Sequence, residues 1–292
     1  MRTLFFGTSE FAVPSLHALA DRTETVAVVT QPDRPAGRGH KLTPSPVKTA
    51  ALERDLRVLQ PNRLRDLVPE ISGGGIELFA LASYGRILPQ ALLDAAPLGA
   101  LNVHPSLLPA YRGATPIQTA LRNGERQTGV SIMFMDAGMD TGDLALQQAV
   151  EIGPDETYGE LHDRLAQIGA RLLGEALERL QSHTLQRHPQ IGEPSVTSPI
   201  HKSDLALDWD WNARRVVDAV RAYAPQPAAR ALLLGEAVKV LRAHVAKGDE
   251  ADAFVVACAD GAVAIDEVVA PNRGRESGAA FLARHRDRAV SR

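Results

Sequence analysis

Thr3–Phe6 is a brief apolar run stopped by Gly7. A run this short suits a buried strand and is too short for a buried helix. Ser9 and Glu10 then open a stretch with Phe11, Leu16 and Leu19 near helical spacing, and Thr25–Val29 supplies a second strand. Strand, helix, strand implies a parallel sheet, because a parallel return needs a crossover long enough to hold a helix.

The alternation continues. Leu78–Ala82 and Ala100–His104 read as strands, with a short helix over Pro89–Ala95 between them. Pro116–Asn123 reads as a helix stopped by Gly124, and Val130–Met135 and Leu144–Ile152 as two further strands. Over Tyr158–Leu180, Leu161, Leu165, Ile168, Leu172 and Leu173 recur on one face of a long helix, with Asp155 or Thr157 as its cap.

The chain has 292 residues, more than the usual domain of roughly 100–200. The character changes at residues 181–203, where Pro189, Pro194 and Pro199 interrupt a polar stretch that reads as a linker. Beyond it, a helix over Ala213–Tyr223 precedes apolar runs at Ala231–Leu234, Ala237–Leu241, Phe254–Ala257, Val263–Ile265 and Val268–Val269. Short strands with Gly turns suggest a small β-barrel or sandwich. The expected division is 1–182, a linker at 183–203, and 204–292.

A net charge of −3 excludes a globally basic chain but allows a local basic patch. Residues 201–292 hold 14 Lys+Arg against 13 Asp+Glu, so that part is near neutral. The single cysteine, Cys258, excludes an intrachain disulfide and a cysteine zinc cluster, and fits a reducing compartment. No apolar run reaches the ~18 residues that cross a membrane. The N-terminal run is also too short for the core of a signal peptide, so a cytoplasmic location is expected.

Three segments carry candidate chemistry. If Ala100–His104 is a strand, Asn102 and His104 share a face at its carboxyl end, where open α/β sheets bind ligands. Asn can hold an oxyanion without changing charge, and His moves protons near neutral pH. By spacing alone the pair reads equally as an ordinary strand end. The second segment, Met135–Asp143, has two glycines and three carboxylates after a strand. Asp136 and Asp143 read as solvated turn residues, and the residues leave Asp140 open between a turn and an orienter of histidine. The third, Thr30–Lys48, is too long for an ordinary βα connection of about 2–6 residues. Its Arg34, Arg38 and Lys41 suit phosphate contacts, and equally a solvated loop.

Taken together, the chain resembles the methionyl-tRNA formyltransferase family through nearly its whole length. The resemblance rests on Phe6-Gly7-Thr8, on Gln31–Gly39 with the tail Pro44–Lys48, and on Asn102-Val103-His104-Pro105-Ser106-Leu107-Leu108-Pro109. Tyr111–Gln118 and Met139-Asp140-Thr141-Gly142-Asp143 complete it. It implies an α/β fold, with a Rossmann-like, mostly parallel sheet domain followed by a smaller C-terminal OB-like β-barrel domain. It also implies that Asn102, His104 and Asp140 are catalytic and that Ser106, Leu107, Leu108 and Pro109 bind the folate. The co-substrate would be 10-formyltetrahydrofolate, with no metal.

The partner it implies is methionylated initiator tRNA, with the proline-rich loop beside its acceptor stem and Arg38 at the key basic position. A monomer is expected. Trp209 and Trp211 read as packing residues, with base stacking as the alternative. The chain departs from the family pattern at Val196–Lys202, at Pro225-Gln226-Pro227 and at Pro271–Glu276.

Overall fold

The structure is a computed structural model and describes residues 1–36, 41–247 and 253–290. It forms two compact units. The first comprises Met1–Ala114, Thr128–Val150 and His162–Val196, and the second Thr115–Gln127, Glu151–Leu161 and Thr197–Arg292.

In chain order the elements are β1 (Arg2–Gly7), α1 (Val13–Ala20), β2 (Glu24–Val29), β3 (Arg34–Ala36), β4 (Lys41–Thr43), α2 (Pro46–Leu52) and β5 (Val58–Leu59). Then come α3 (Val68–Gly73), β6 (Leu78–Ala82), α4 (Gln90–Leu93), β7 (Ala100–His104), β8 (Arg112–Gly113), α5 (Pro116–Arg122), β9 (Gln127–Phe134), β10 (Leu144–Glu151) and α6 (Tyr158–Gln181). The remainder is β11 (Val196–Thr197), α7 (Ala213–Tyr223), β12 (Ala229–Leu233), β13 (Glu236–Val245), β14 (Phe254–Cys258), β15 (Gly261–Val269), β16 (Arg275–Ser277) and α8 (Gly278–Val290).

The sheet of the first unit has the order β10-β9-β7-β6-β1-β2-β5. β5, β2, β1, β6 and β7 pair in parallel, and β9 runs antiparallel to β7. This is the expected mostly parallel sheet. Its central strand β6 is apolar throughout because both faces are covered, whereas the edge strand β10 mixes buried and exposed residues. One face buries Leu4, Phe6, Phe79 and Leu81 together with Tyr84, Leu88 and Leu92. Phe6 stands edge-on to both Phe79 and Tyr84, at centroid distances of 5.4 and 5.5 Å. Each such ring stabilises the fold by about 1.5–3 kcal/mol through burial alone. At the carboxyl edge, Gly7 lies opposite Ala82 and Ala82 opposite Val103, so β1, β6 and β7 end side by side.

The second unit is built on a five-stranded antiparallel sheet. β12, β13, β15 and β14 follow one another, and β16 pairs with the far end of β15. α7 matches its sequence expectation. Asn212 caps it by accepting from the Arg215 amide at 2.8 Å, and Val216, Val220 and Tyr223 are buried. Phe254 stacks on Phe281 of α8 at 5.7 Å. Trp211 lies half-buried under the Arg215 guanidinium, 4.2 Å from its ring centroid.

Three expectations change. The runs at Val263–Ile265 and Val268–Val269 belong to one strand, β15, because a register slip against β13 takes up Asp266. The tail Pro44–Lys48 is no loop. It starts α2, with the Ser45 hydroxyl accepting from the Lys48 amide at 3.0 Å and Pro46 in the first turn. Finally, α8 closes the second unit where no element was expected. Among the described residues, no helix is long and apolar enough to cross a membrane.

Candidate active site

β7 is hydrogen-bonded on both edges, with Leu81 of β6 and Met133 of β9 opposite Asn102, and Ser131 of β9 opposite His104. Its side chains alternate. Val103 faces α6 so closely that a Cβ on Gly169 would lie 2.6 Å from it. Asn102 and His104 therefore point to the opposite face. His104 is buried, at 4 % exposure, and Asn102 is half-buried. The Asn102 side chain has no hydrogen-bond partner among the described residues, so its amide is open to a ligand.

The His104 ring is hydrogen-bonded at one nitrogen and faces a carboxylate with the other. Nε2 lies 2.9 Å from the Tyr111 carbonyl. A carbonyl can only accept, so Nε2 carries a hydrogen. Nδ1 is then the ring nitrogen not used by that bond, and it faces Oδ2 of Asp140 at 3.6 Å. That same Oδ2 accepts from the Gly113 amide at 2.8 Å.

One short segment thus positions both groups, with the carbonyl of residue 111 on the histidine and the amide of residue 113 on the carboxylate. The segment turns through positive φ at Tyr111 (60°) and Gly113 (102°), a region in which glycine carries no Cβ penalty. Sequence reading gave this Tyr-Arg-Gly stretch no role, although its glycine was a usable signal.

Asp140 sits at φ 55° in the loop between β9 and β10. Gly142 is required there, since a Cβ would fall 1.8 Å from the Phe134 carbonyl oxygen. A Gly142→Ala variant is expected to displace the loop and lower turnover by roughly 10²-fold, the scale of an ångström-sized misplacement near the chemistry. Steady-state kinetics beside thermal unfolding check this, and near-wild-type turnover would contradict it. Asp136 behaves as the turn residue expected, accepting from the Gly138 amide at 3.0 Å and the Thr141 hydroxyl at 2.7 Å.

Ser106–Pro109 leaves β7 directly. Ser106 is fully buried, and its hydroxyl donates to the Ala110 carbonyl at 2.6 Å. The Ser131 hydroxyl donates to the Ser106 carbonyl at 2.7 Å and accepts from the Leu108 amide at 3.2 Å, and Gln147 donates to the Leu108 carbonyl at 3.1 Å. Leu108 and Pro109 are buried and Leu107 half-buried. Ser131 and Gln147 were not anticipated. Both lie on strands whose pattern marks them only as inward or edge positions.

The proline-rich segment leaves the carboxyl end of β2, three strand spacings from β7, or about 14 Å. Its root is tightly tied. Lys48 donates to both oxygens of Asp33 at 3.0 and 2.7 Å, and Gln60 donates to Asp33 at 2.8 Å. The Lys48 and Gln60 hydrogen bonds hold the Asp33 carboxyl below its ordinary range. Arg34 is exposed, on β3, with its guanidinium on the Gln31 side chain. The Lys41 backbone belongs to β4, and Arg38 lies outside the described residues.

Known proteins resemble this chain along almost its whole length. A formyl transferase family model matches residues 1–177, and a formyl transferase C-terminal domain model matches residues 199–286. The methionyl-tRNA formyltransferase of Pelobacter propionicus is 46% identical, over 96% of this chain and 92% of that one. That of Geobacter sulfurreducens is 43% identical, over 97% and 93%. Among solved structures, the N-formyltransferase of Helicobacter canadensis in complex with folinic acid and dTDP-3-aminofucose is alike in fold. Its TM-score is 0.69 at 19% identity, over 90% of this chain and 97% of that one. Identity of this level along almost the full length of both relatives establishes that the chain belongs to the methionyl-tRNA formyltransferase family.

Proposed function

We propose that the protein is an enzyme that transfers the formyl group of 10-formyltetrahydrofolate to the α-amino group of methionyl-initiator tRNA, for translation initiation. The observation that carries this reading is His104, set between the Tyr111 carbonyl and Asp140, two residues from an Asn102 amide that has no hydrogen-bond partner among the described residues. The names of the full-length relatives supply the acceptor.

In this reading the amine nitrogen attacks the formyl carbon, and the carbonyl oxygen gains negative charge. Asn102 donates to that oxygen, a role suited to a fixed neutral donor. His104 Nδ1 takes the proton lost by the amine and returns it to the departing folate nitrogen as the carbon–nitrogen bond breaks. Asp140 faces the imidazolium while it carries that proton. Ser106 acts on folate through the shape it gives the loop, since its hydroxyl is spent on Ala110. Leu107, Leu108 and Pro109 supply the apolar wall.

Arg34, Arg38 and Lys41 take the phosphates of the tRNA, and residues 204–292 form a second domain that helps hold it. The proposed working unit is a monomer, and its proposed place is the cytoplasm, where translation initiation takes place.

A competition experiment tests the acceptor. Labelled 10-formyltetrahydrofolate is supplied with methionylated initiator tRNA, an amino sugar nucleotide, glycinamide ribonucleotide or water alone. Label is expected on the tRNA. Label found only on a small amine, or only as formate, overturns the reading.

A further inference from the structure

Residues 183–196 were expected to be linker, yet they brace the site at three points. The His188 and Leu144 backbones exchange hydrogen bonds of 2.7 and 2.9 Å. Ser195 accepts from the Tyr111 amide through its hydroxyl at 2.8 Å, and from the Arg112 amide through its carbonyl at 2.9 Å. Between them stands Gln190, half-buried. Its Nε2 donates to the Asp140 carbonyl at 2.9 Å and to the Gly142 carbonyl at 2.8 Å. Its Oε1 accepts from Arg112 Nε at 3.2 Å and Nη2 at 2.7 Å. Both hydrogens and both lone pairs of one amide are therefore used. Arg112 lies between Tyr111, which holds His104, and Gly113, which holds Asp140.

We propose that Gln190 is a positioning residue for formyl transfer, joining the Asp140 loop to the Tyr111–Gly113 segment so that the carboxylate stays facing His104. This rests on the proposed roles of His104 and Asp140. An amide is needed because two carbonyls demand donors and a guanidinium demands an acceptor. The left-handed backbone at Asp140 is uncommon for a residue with a side chain, so the loop needs such external ties.

The test combines kinetics with nitrogen NMR of the His104 ring. Gln190→Ala is expected to lower kcat about 10-fold with little change in either KM, as a small misplacement of a catalytic group does. Gln190→Glu, which turns acceptors toward two carbonyls, is expected to be worse while folding normally. In an Asp140→Ala background, Gln190→Ala should cost less than about 2-fold, because the two act as one unit. Independently of any activity, Gln190→Ala should shift the ring nitrogen resonances of His104.

Unchanged resonances, or losses that multiply in the double variant, overturn the proposal. So does a kcat loss accompanied by a matching loss of folded protein in both Gln190 variants. If no acceptor takes label, the functional reading fails, whereas the resonance test of Gln190 still stands or falls by itself.

Discussion

A His104→Ala variant is expected to turn over about 10²- to 10³-fold more slowly than the wild-type chain, and Asn102→Ala to fall by a similar factor. The two losses have different causes. In the proposed mechanism His104 is the side chain of the pair that moves a proton, and its Nδ1 is the atom left for that task once Nε2 is committed to Tyr111. In the same proposal Asn102 offers a donor whose charge never changes, so its loss should be felt where negative charge builds on the formyl oxygen.

Asn102→Ala is the cleaner experiment. Its side chain is half-buried and has no hydrogen-bond partner to orphan among the described residues, so stability should stay within about 0.5 kcal/mol of wild type. His104→Ala empties a buried site and frees the Tyr111 carbonyl, so its kinetics need thermal unfolding alongside. Turnover within a few-fold of wild type for Asn102→Ala would remove it from the catalytic set.

The second large effect is on stability. In α7, Arg221 and Asp218 form an ion pair of 2.8 Å, and both side chains are about 5% exposed. Arg221 also donates to the Glu156 carbonyl at 3.1 Å and the Gly153 carbonyl at 2.8 Å. Removing Arg221 takes a donor from each of these carbonyls and leaves a buried carboxylate whose remaining ion-pair partner, among the described residues, is the half-exposed Arg214 at 2.9 Å. Arg221→Met is therefore expected to destabilise the second unit by about 3–5 kcal/mol, lowering its thermal midpoint by at least roughly 10 °C. Replacing both partners together with apolar residues should recover part of that loss, because no lone charge then remains buried. Circular dichroism during heating measures both. A midpoint unchanged in Arg221→Met would mean that the carboxylate is already well served by Arg214 and water.

The fold was largely legible, because its long-range logic is written in local periods. α7 could be read from the spacing of Val216, Val217 and Val220, and β1, β2, β6 and β7 from apolar runs between breakers. The elements missed have weak periods. α2 hid behind its prolines, although Ser45 followed by Pro46 is a helix start. Among the described side chains of α8, Phe281 is the fully buried large one.

The site divides in the same way. Asn102 and His104 could be paired because strand alternation puts them on one face. What holds them could not be found, because the ties are backbone groups of Tyr111 and Gly113 and one glutamine in a polar, proline-interrupted stretch. Hydrogen bonds such as those of Gly113 and Gln190, across gaps of 27 and 50 residues, leave no pattern in composition. Asp140 became legible only through resemblance, since an Asp beside two glycines has the signature of any turn.

The most direct test of the account is a single-turnover reaction with enzyme in excess over labelled 10-formyltetrahydrofolate and methionyl-initiator tRNA, so that product release does not limit the rate. The account predicts that the wild-type chain moves the label to the methionyl amine. A variant with Asn102, His104 and Asp140 all replaced by alanine should still bind both substrates and leave the label on folate. Transfer by that variant at the wild-type rate would contradict the account.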